Sequence, residues 1–403
     1  MTRPVLIVFS HLRWSFVFQR PQHLLSRLTA HWRVVFVEEP VYEAGSATLV
    51  SRRTPSGVEV VVPHTPVAAA GFHDDQIAVL QPLIAAHLRQ AGLRCDVAWL
   101  YTPMALPLLA AVDPDCVVYD CMDDLASFKD APRQLRQRES ALMQRAVLVM
   151  TGGPSLFESR RHAHPNVHCL PSSVDAAHFD PDTLDPHSVH AREAAALQAQ
   201  LPRPRLGYFG VIDERLDMLL IERLAERQPD WQIVMAGPVC KIDPARLPQG
   251  PNLHWLGMQP YERLPHLLAA WDAALMPFAL NEATRHISPT KTLEYMAGEK
   301  PVVSTSVRDV ISLYGHVVEV ADTHEEFIRA CEDLMSEPAT ARLHRVSRML
   351  AAVATQSWDR VAERVHSLLL QAHAGAVRPK LVEFELATTA ARSSAELSAA
   401  TRA

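Results

Sequence analysis

The stretch Asn281-Glu-Ala-Thr-Arg-His-Ile-Ser-Pro-Thr-Lys-Thr-Leu-Glu-Tyr-Met-Ala-Gly-Glu-Lys-Pro-Val-Val-Ser304 decides how this chain is read. A polar turn leads into a helical pattern over Pro289–Ala297. Gly298 breaks it, and the chain returns as the short apolar run Val302–Ser304. Another short apolar run, Ala273–Met276, lies just upstream. Strand, helix and strand in that order make a βαβ unit, the connection from which parallel sheets are built.

The same alternation extends outward in both directions. Towards the N-terminus of this half, strands are expected at Arg205–Phe209, Gln232–Ala236 and Leu253–Leu256, with helices at Glu214–Arg227 and Tyr261–Ala270. Beyond it come Val317–Val320 as a strand, then helices at Glu325–Ser336 and Ala339–Val353. A separate series fills the first half, with strands at Val5–Phe9, Val34–Val37, Val58–Val62, Val97–Tyr101, Cys116–Asp120, Val147–Thr151 and Val167–Leu170. Helical patterns lie between them, among them Pro21–Ala30, Asp75–Gln90, Pro132–Arg145 and Ser155–His162. Two doubly wound α/β domains in series are therefore expected, facing each other across a cleft. The boundaries read as 1–179 for the first domain, 180–204 for a connection holding at most one short helix, and 205–355 for the second domain. Residues 356–374 form a last amphipathic helix, and 375–403, rich in Ala, Ser and Thr, read as a disordered tail.

Composition narrows the function. Lys+Arg 39 against Asp+Glu 45 gives −6, so charge alone does not direct this chain to nucleic acid. The six cysteines form no CxxC pair and sit mostly in apolar runs, which suits a reducing cytoplasm. Val5–Phe9 is too short for a signal-peptide core, and no stretch reaches the roughly 18 apolar residues of a membrane span. A cytoplasmic protein is expected.

Ligands of doubly wound sheets bind at the carboxyl ends of strands, so candidate chemistry is sought there. Ser288 suits an N-cap and Pro289 a first helical position, which predicts a helix start with free N–H groups. Lys291 in the first turn opposes the helix dipole, which suggests an external anion; Thr290 lies beside it. Glu294, three residues on, shares its face and can accept hydrogen bonds from a ribose diol. A capped surface helix with an i,i+3 ion pair fits the same spacing. Gly210 ends a strand where backbone and ligand can approach closely, and Arg215 opens the next helix as a phosphate clamp, or merely as a turn and a surface charge. In the first domain, Asp120, Asp123 and Asp124 stand at the end of a strand, where one can take a proton from an acceptor hydroxyl and another can cap a helix. Arg20, opening Arg20-Pro-Gln-His23, is either a second anion contact or a polar helix entry. There is no GxGxxG, Walker lysine, HExxH or nucleophile elbow, so dehydrogenase, P-loop, zinc-protease and serine-hydrolase chemistry are disfavoured, and no metal is expected.

Several of these motifs together resemble the GT-B glycosyltransferases, particularly those like family 4. Pro171-Ser-Ser-Val-Asp-Ala-Ala-His-Phe179 is similar to the end of their N-terminal domain. Asn252-Leu-His-Trp-Leu-Gly257, Leu264-Pro-His-Leu-Leu268 and Trp271-Asp272 are similar to a stretch of their second domain, and Leu293–Ser304 to the segment that closes the donor site. More narrowly, Phe9-Ser-His-Leu-Arg-Trp14, Gln19-Arg-Pro-Gln-His23 and Thr151-Gly-Gly-Pro154 resemble a bacterial subgroup found among cell-surface polysaccharide and teichuronic-acid-type transferases.

The resemblance implies a nucleotide-diphosphate-sugar donor held mainly by the second domain. A glycan or lipid-linked acceptor would be held by the first, with peripheral attachment to the inner face of the membrane if the acceptor is a lipid. It implies no further cofactor. Glu294 matches the ribose-binding glutamate, Lys291 and Arg215 match diphosphate contacts, and Asp120 falls near the reacting centre, with Asp123 as substitute. The chain departs from the pattern at His286, where a first glutamate is expected, leaving Glu282 and Arg285 as sugar-contact candidates. Val211 also replaces an early arginine. A sugar-nucleotide epimerase or hydrolase of the same fold, and a non-catalytic sugar-nucleotide binding module, are the competing readings.

Overall fold

The computed structural model describes residues 3–376. The first domain is a nine-stranded sheet of β1 (Val5–Ser10), β2 (Arg33–Glu38), β3 (Val41–Tyr42), β4 (Thr48–Arg53), β5 (Glu59–Thr65), β6 (Val97–Leu100), β7 (Cys116–Cys121), β8 (Leu148–Thr151) and β9 (Val167–Cys169). Its order is β3-β5-β2-β1-β6-β7-β8-β9, parallel throughout except for β4, which runs antiparallel along β5. The strands are apolar runs because both faces are covered. Val5, Ile7 and Phe9 of β1 enter one core layer, whereas Leu6 and Val8 enter the other.

The second domain has six parallel strands, β10 (Arg205–Phe209), β11 (Gln232–Ala236), β12 (Leu253–Gly257), β13 (Ala273–Met276), β14 (Val302–Thr305) and β15 (Glu319–Ala321). Their order, β12-β11-β10-β13-β14-β15, is third, second, first, fourth, fifth, sixth within the domain. That is the doubly wound dinucleotide-fold order, with its switch point between β10 and β13. The first domain repeats it around β1 and β6. The strand order reverses at each of these pairs, so a crevice opens at their carboxyl ends.

The structure adds detail to the expected organisation at several places. The segment 180–204 holds the helix Val189–Gln198, whose Ala194 packs into the second domain's core beside Val174 and Phe179. Gln198 accepts a hydrogen bond from the buried Trp271 indole at 3.0 Å, which ties that helix down. The hairpin strand β4 and the helix Arg308–Tyr314 were not read from the sequence. Helical structure spans 358–376, so Gly375 does not end it, and the rest of the expected tail lies outside the described residues. Trp358, Ala362, Val365, Leu368 and Leu369 of this helix pack among Leu6, Val8, Trp32 and Trp99, returning the chain end to the first domain.

Candidate active site

Two glycine turns shape the donor side. Gly210, just past β10, has φ +143°, a conformation side chains rarely adopt, and a Cβ there would lie 2.8 Å from Lys291 Cε. Gly237, just past β11, has φ +155°, and its Cβ would meet the Gly210 carbonyl oxygen at 1.7 Å. The two backbones therefore stack directly, and the long lysine side chain crosses over them. Lys291 Nζ lies 5.5 Å from the centroids of both the Tyr208 and Phe278 rings, so aromatic faces surround the ammonium.

The sequence misplaced the start of the helix that carries Lys291. It spans Lys291–Ala297, with Thr290 at the cap position and no side-chain cap. Ser288 instead lies in the loop before the helix, beside Asp309. The helix has seven residues, so the local positive charge comes from side chains rather than from its dipole. Burial, then Arg215, pull the Lys291 ammonium below the usual lysine range; burial pushes the Glu294 carboxyl up while Lys291 opposes it.

Arg215 also lies outside its expected helix, which begins at Met218 under an Asp217 cap. It occupies the preceding turn, where Asp213 clamps it: Nε donates to Oδ1 at 2.9 Å and Nη2 to Oδ2 at 2.7 Å. Asp213, 6% exposed, was missed by sequence reasoning, although an i,i+2 Asp-x-Arg in a tight turn is a recognisable pattern. On its other side the Arg215 guanidinium lies 5.5 Å from the Phe128 ring of the first domain, which Lys241 also approaches at 5.1 Å.

The acceptor side corrects the carboxylate assignment. Asp120 is fully buried and pairs with Arg20, which is 1% exposed: Nε donates to Oδ2 at 3.0 Å and Nη2 to Oδ1 at 3.1 Å. Arg20 Nη1 donates to the Leu170 carbonyl at 2.7 Å. Asp120 is not free to meet a substrate and is a pillar beneath the site, whereas Arg20, committed to this pair, also borders the cleft. Asp124 also has partners, Arg160 at 3.2 Å and the Ser127 hydroxyl at 2.8 Å. Asp123 is the carboxylate that lines the cleft. Burial pushes its carboxyl up to about 6, with Arg215 and Lys291 pulling down and Asp213 pushing up. Those charges belong to the other domain, so Asp123 faces the donor half across the cleft.

The cleft unites Asp123, Arg20, Gly210, Arg215, Ser288, Thr290, Lys291 and Glu294. It does not include Glu282 or Arg285, which are solvent-exposed and pair with each other at 3.5 Å. Phe18 and Tyr261, which sequence reasoning did not select, close one end by stacking across the two domains at 4.5 Å and 17°. Among the described residues, Asp96, Asp115 and His373 form the one group spaced to hold a metal. The Arg94 guanidinium already contacts both carboxylates, at 3.0 and 2.6 Å. No helix among the described residues is long and apolar enough to cross a membrane.

Two doubly wound domains with a cleft of this kind define the GT-B class of fold. Residues 203–337 match the family described as glycosyl transferases group 1. A "Putative teichuronic acid biosynthesis glycosyltransferase TuaH" of Bacillus subtilis (strain 168) is 25% identical over 290 residues, covering 66% of this chain and 70% of that protein. Among solved structures, sucrose-phosphate synthase from Thermosynechococcus elongatus aligns with a TM-score of 0.69 at 15% identity, over 93% of this chain and 100% of the other. Anabaena HepE, in complex with UDP and glucose, aligns with a TM-score of 0.66 at 14% identity, over 92% and 100%. The fold is thus that of the GT-B class, and residues 203–337, within the second domain, carry the match to glycosyl transferases group 1.

Proposed function

We propose that this enzyme moves a sugar from a nucleotide-diphosphate sugar to a hydroxyl of a glycan or lipid-linked acceptor during cell-surface polysaccharide synthesis. The observation that carries this reading is the juxtaposition of Lys291, Arg215 and Glu294 of one domain with Asp123 of the other. The name of the B. subtilis relative supports the polysaccharide context, and the UDP and glucose held by HepE support the donor class.

In this reading, Glu294 accepts hydrogen bonds from the ribose, and Lys291 and Arg215 meet the diphosphate. As the sugar–phosphate bond breaks, negative charge grows on the leaving diphosphate. Two desolvated cations stabilise it more strongly than water would, in the role a divalent metal plays elsewhere. Asp123 orients the acceptor hydroxyl or takes its proton, and its raised carboxyl matches that task. Closure around the substrates excludes water that would otherwise intercept the sugar. Work at the inner face of the membrane follows if the acceptor is lipid-linked.

The test is nucleotide release from a panel of UDP-, GDP-, ADP- and dTDP-sugars by the full chain, compared with Glu294→Ala and Lys291→Ala. Slow release by the wild type, lost in Lys291→Ala, weakened at limiting donor in Glu294→Ala and accelerated by bacterial lipid extract, supports transfer and names the donor. Epimerised sugar, or hydrolysis that the extract never accelerates, identifies an epimerase or hydrolase. Tight binding without turnover identifies a binding module.

A further inference from the structure

Thr151-Gly-Gly-Pro154 has so far been given no task. Gly152 and Gly153 follow β8 and precede the helix Pro154–Arg160, and each glycine touches a different part of the cleft. A Cβ on Gly152 would lie 2.5 Å from the Met122 carbonyl oxygen, next to Asp123 in the chain. A Cβ on Gly153 would lie 2.2 Å from Asp309 Oδ2 and 2.6 Å from Ser288 Cβ, both in the second domain. The distances under 3.0 Å leave no space for a methyl group at either position. One backbone thickness therefore separates the Asp123 segment from the loop that leads into Lys291.

Asp309 holds that seam. It is 1% exposed, and its Oδ1 accepts a hydrogen bond from the Ser155 backbone N–H across the domain boundary at 3.0 Å. The side chains of Ser155 and Ser288 flank the same carboxylate. A buried carboxylate is costly unless its lone pairs are met; here Oδ1 is met from the first domain by the Ser155 amide, while Oδ2 is buried against the Gly153 turn without a hydrogen-bond partner, so that single cross-domain bond matters the more. Separating the domains would strip it of the Ser155 amide, and closing them restores it.

We propose that Asp309 is a positioning residue for transfer. Seated in the Gly152-Gly153 turn, it registers Asp123 against the donor loop Ser288–Lys291 when the domains are closed. The proposal rests on the acceptor role given above to Asp123. Misplacing reacting groups by about 1 Å costs on the order of 100-fold in rate, so loosening the seam lowers turnover without removing a donor contact.

The test uses the full chain with Asp309→Ala, Asp309→Asn and Gly153→Ala. It reads hydrogen exchange at the Ser155 amide, together with kcat and KM for the donor. Asp309→Ala is expected to speed exchange at Ser155 and to lower kcat about 10- to 100-fold with donor KM unchanged. Asp309→Asn keeps an acceptor oxygen and is expected to restore both. Gly153→Ala forces the seam apart with Asp309 intact and is expected to lower kcat in the same way, so the proposal stays testable if Asp309→Ala fails to fold. Wild-type kcat in Gly153→Ala or Asp309→Ala overturns it, as does equal loss in the Asn and Ala variants with Ser155 still protected. Full activity of Asp123→Asn would remove the acceptor role while leaving the Ser155 exchange result standing, so the two failures separate.

Discussion

Replacing Asp120 by alanine separates structural support from catalysis. Its carboxylate accepts two hydrogen bonds from Arg20 at 3.0 and 3.1 Å, and neither residue is more than 1% exposed. Asp120→Ala would leave a guanidinium buried with one remaining hydrogen bond, to the Leu170 carbonyl. Removing one member of a buried pair costs about 3–5 kcal/mol because the other charge is left uncompensated. Arg20→Met with Asp120→Val removes both charges together and should recover most of that loss. Asp120→Asn retains one acceptor oxygen and should fall between, losing about 1.5–3 kcal/mol. Urea unfolding followed by fluorescence of the first domain's buried Trp32, Trp99 and Trp358 measures all three. Turnover, assayed well below the unfolding midpoint, should survive in the double variant. An Asp120→Ala protein with wild-type stability and turnover lost by 100-fold or more would refute the reasoning, because that is the signature of a lost acid–base group.

Lys291→Ala should lower kcat/KM by about 100- to 1000-fold, the usual loss of one preorganised charge from a transition state, as read by nucleotide release. Glu294→Ala should act mainly on KM, by about 10- to 100-fold, because ribose contacts are equal in ground and transition states. Gly210→Ala should abolish donor binding in calorimetry while the fold persists, since its Cβ would press on the Lys291 side chain at 2.8 Å. The Asp123 carboxyl is raised to about 6, so it stays protonated below that pH and becomes available as a base above it. The profile of kcat/KM should therefore rise with pH through about 6 and fall again as the Lys291 ammonium loses its proton at about 8, and Asp123→Asn should remove the rise at about 6 while leaving the fall. A limb lying below pH 5 would contradict that assignment.

Much of this architecture is legible because strands buried on both faces must be continuously apolar. β10, β11 and β13 fall where the sequence alone sets them, at Arg205–Phe209, Gln232–Ala236 and Ala273–Met276. β4 was hidden because Thr48–Arg53 is an exposed edge strand, polar and charged, that pairs on one side only. The short helix allowed within 180–204 could not be bounded among Pro, Asp and His; it is Val189–Gln198, anchored by single residues such as Ala194 and Gln198. The carboxylates failed for a more specific reason. Asp120 and Asp123 both stand near a strand end, but Asp120 still pairs in register with Met150, inside the sheet, whereas Asp123 lies past the last pair, Cys121 with Thr151. Register between strands is a tertiary property, and it alone decides which carboxylate reaches the cleft.

The same limit applies to charge. Sequence presents Arg215 and Lys291 as two equivalent cations, yet the fold treats them differently. Arg215 is clamped by Asp213, so it is aimed and largely neutralised before any ligand arrives. Lys291 enters no ion pair among the described residues and rests on the faces of Tyr208 and Phe278. Aromatic faces hold an ammonium without neutralising it, and burial has already removed much of its water. Burial first, and then repulsion from Arg215, lower the proton affinity of Lys291, so added negative charge beside it would be favoured. An arriving diphosphate supplies that charge, and supplies more of it as charge builds on the leaving group, so the interaction strengthens along the reaction coordinate. If the proposed donor site is right, Lys291 would carry most of the transition-state stabilisation, and Arg215 would chiefly fix where the diphosphate lies.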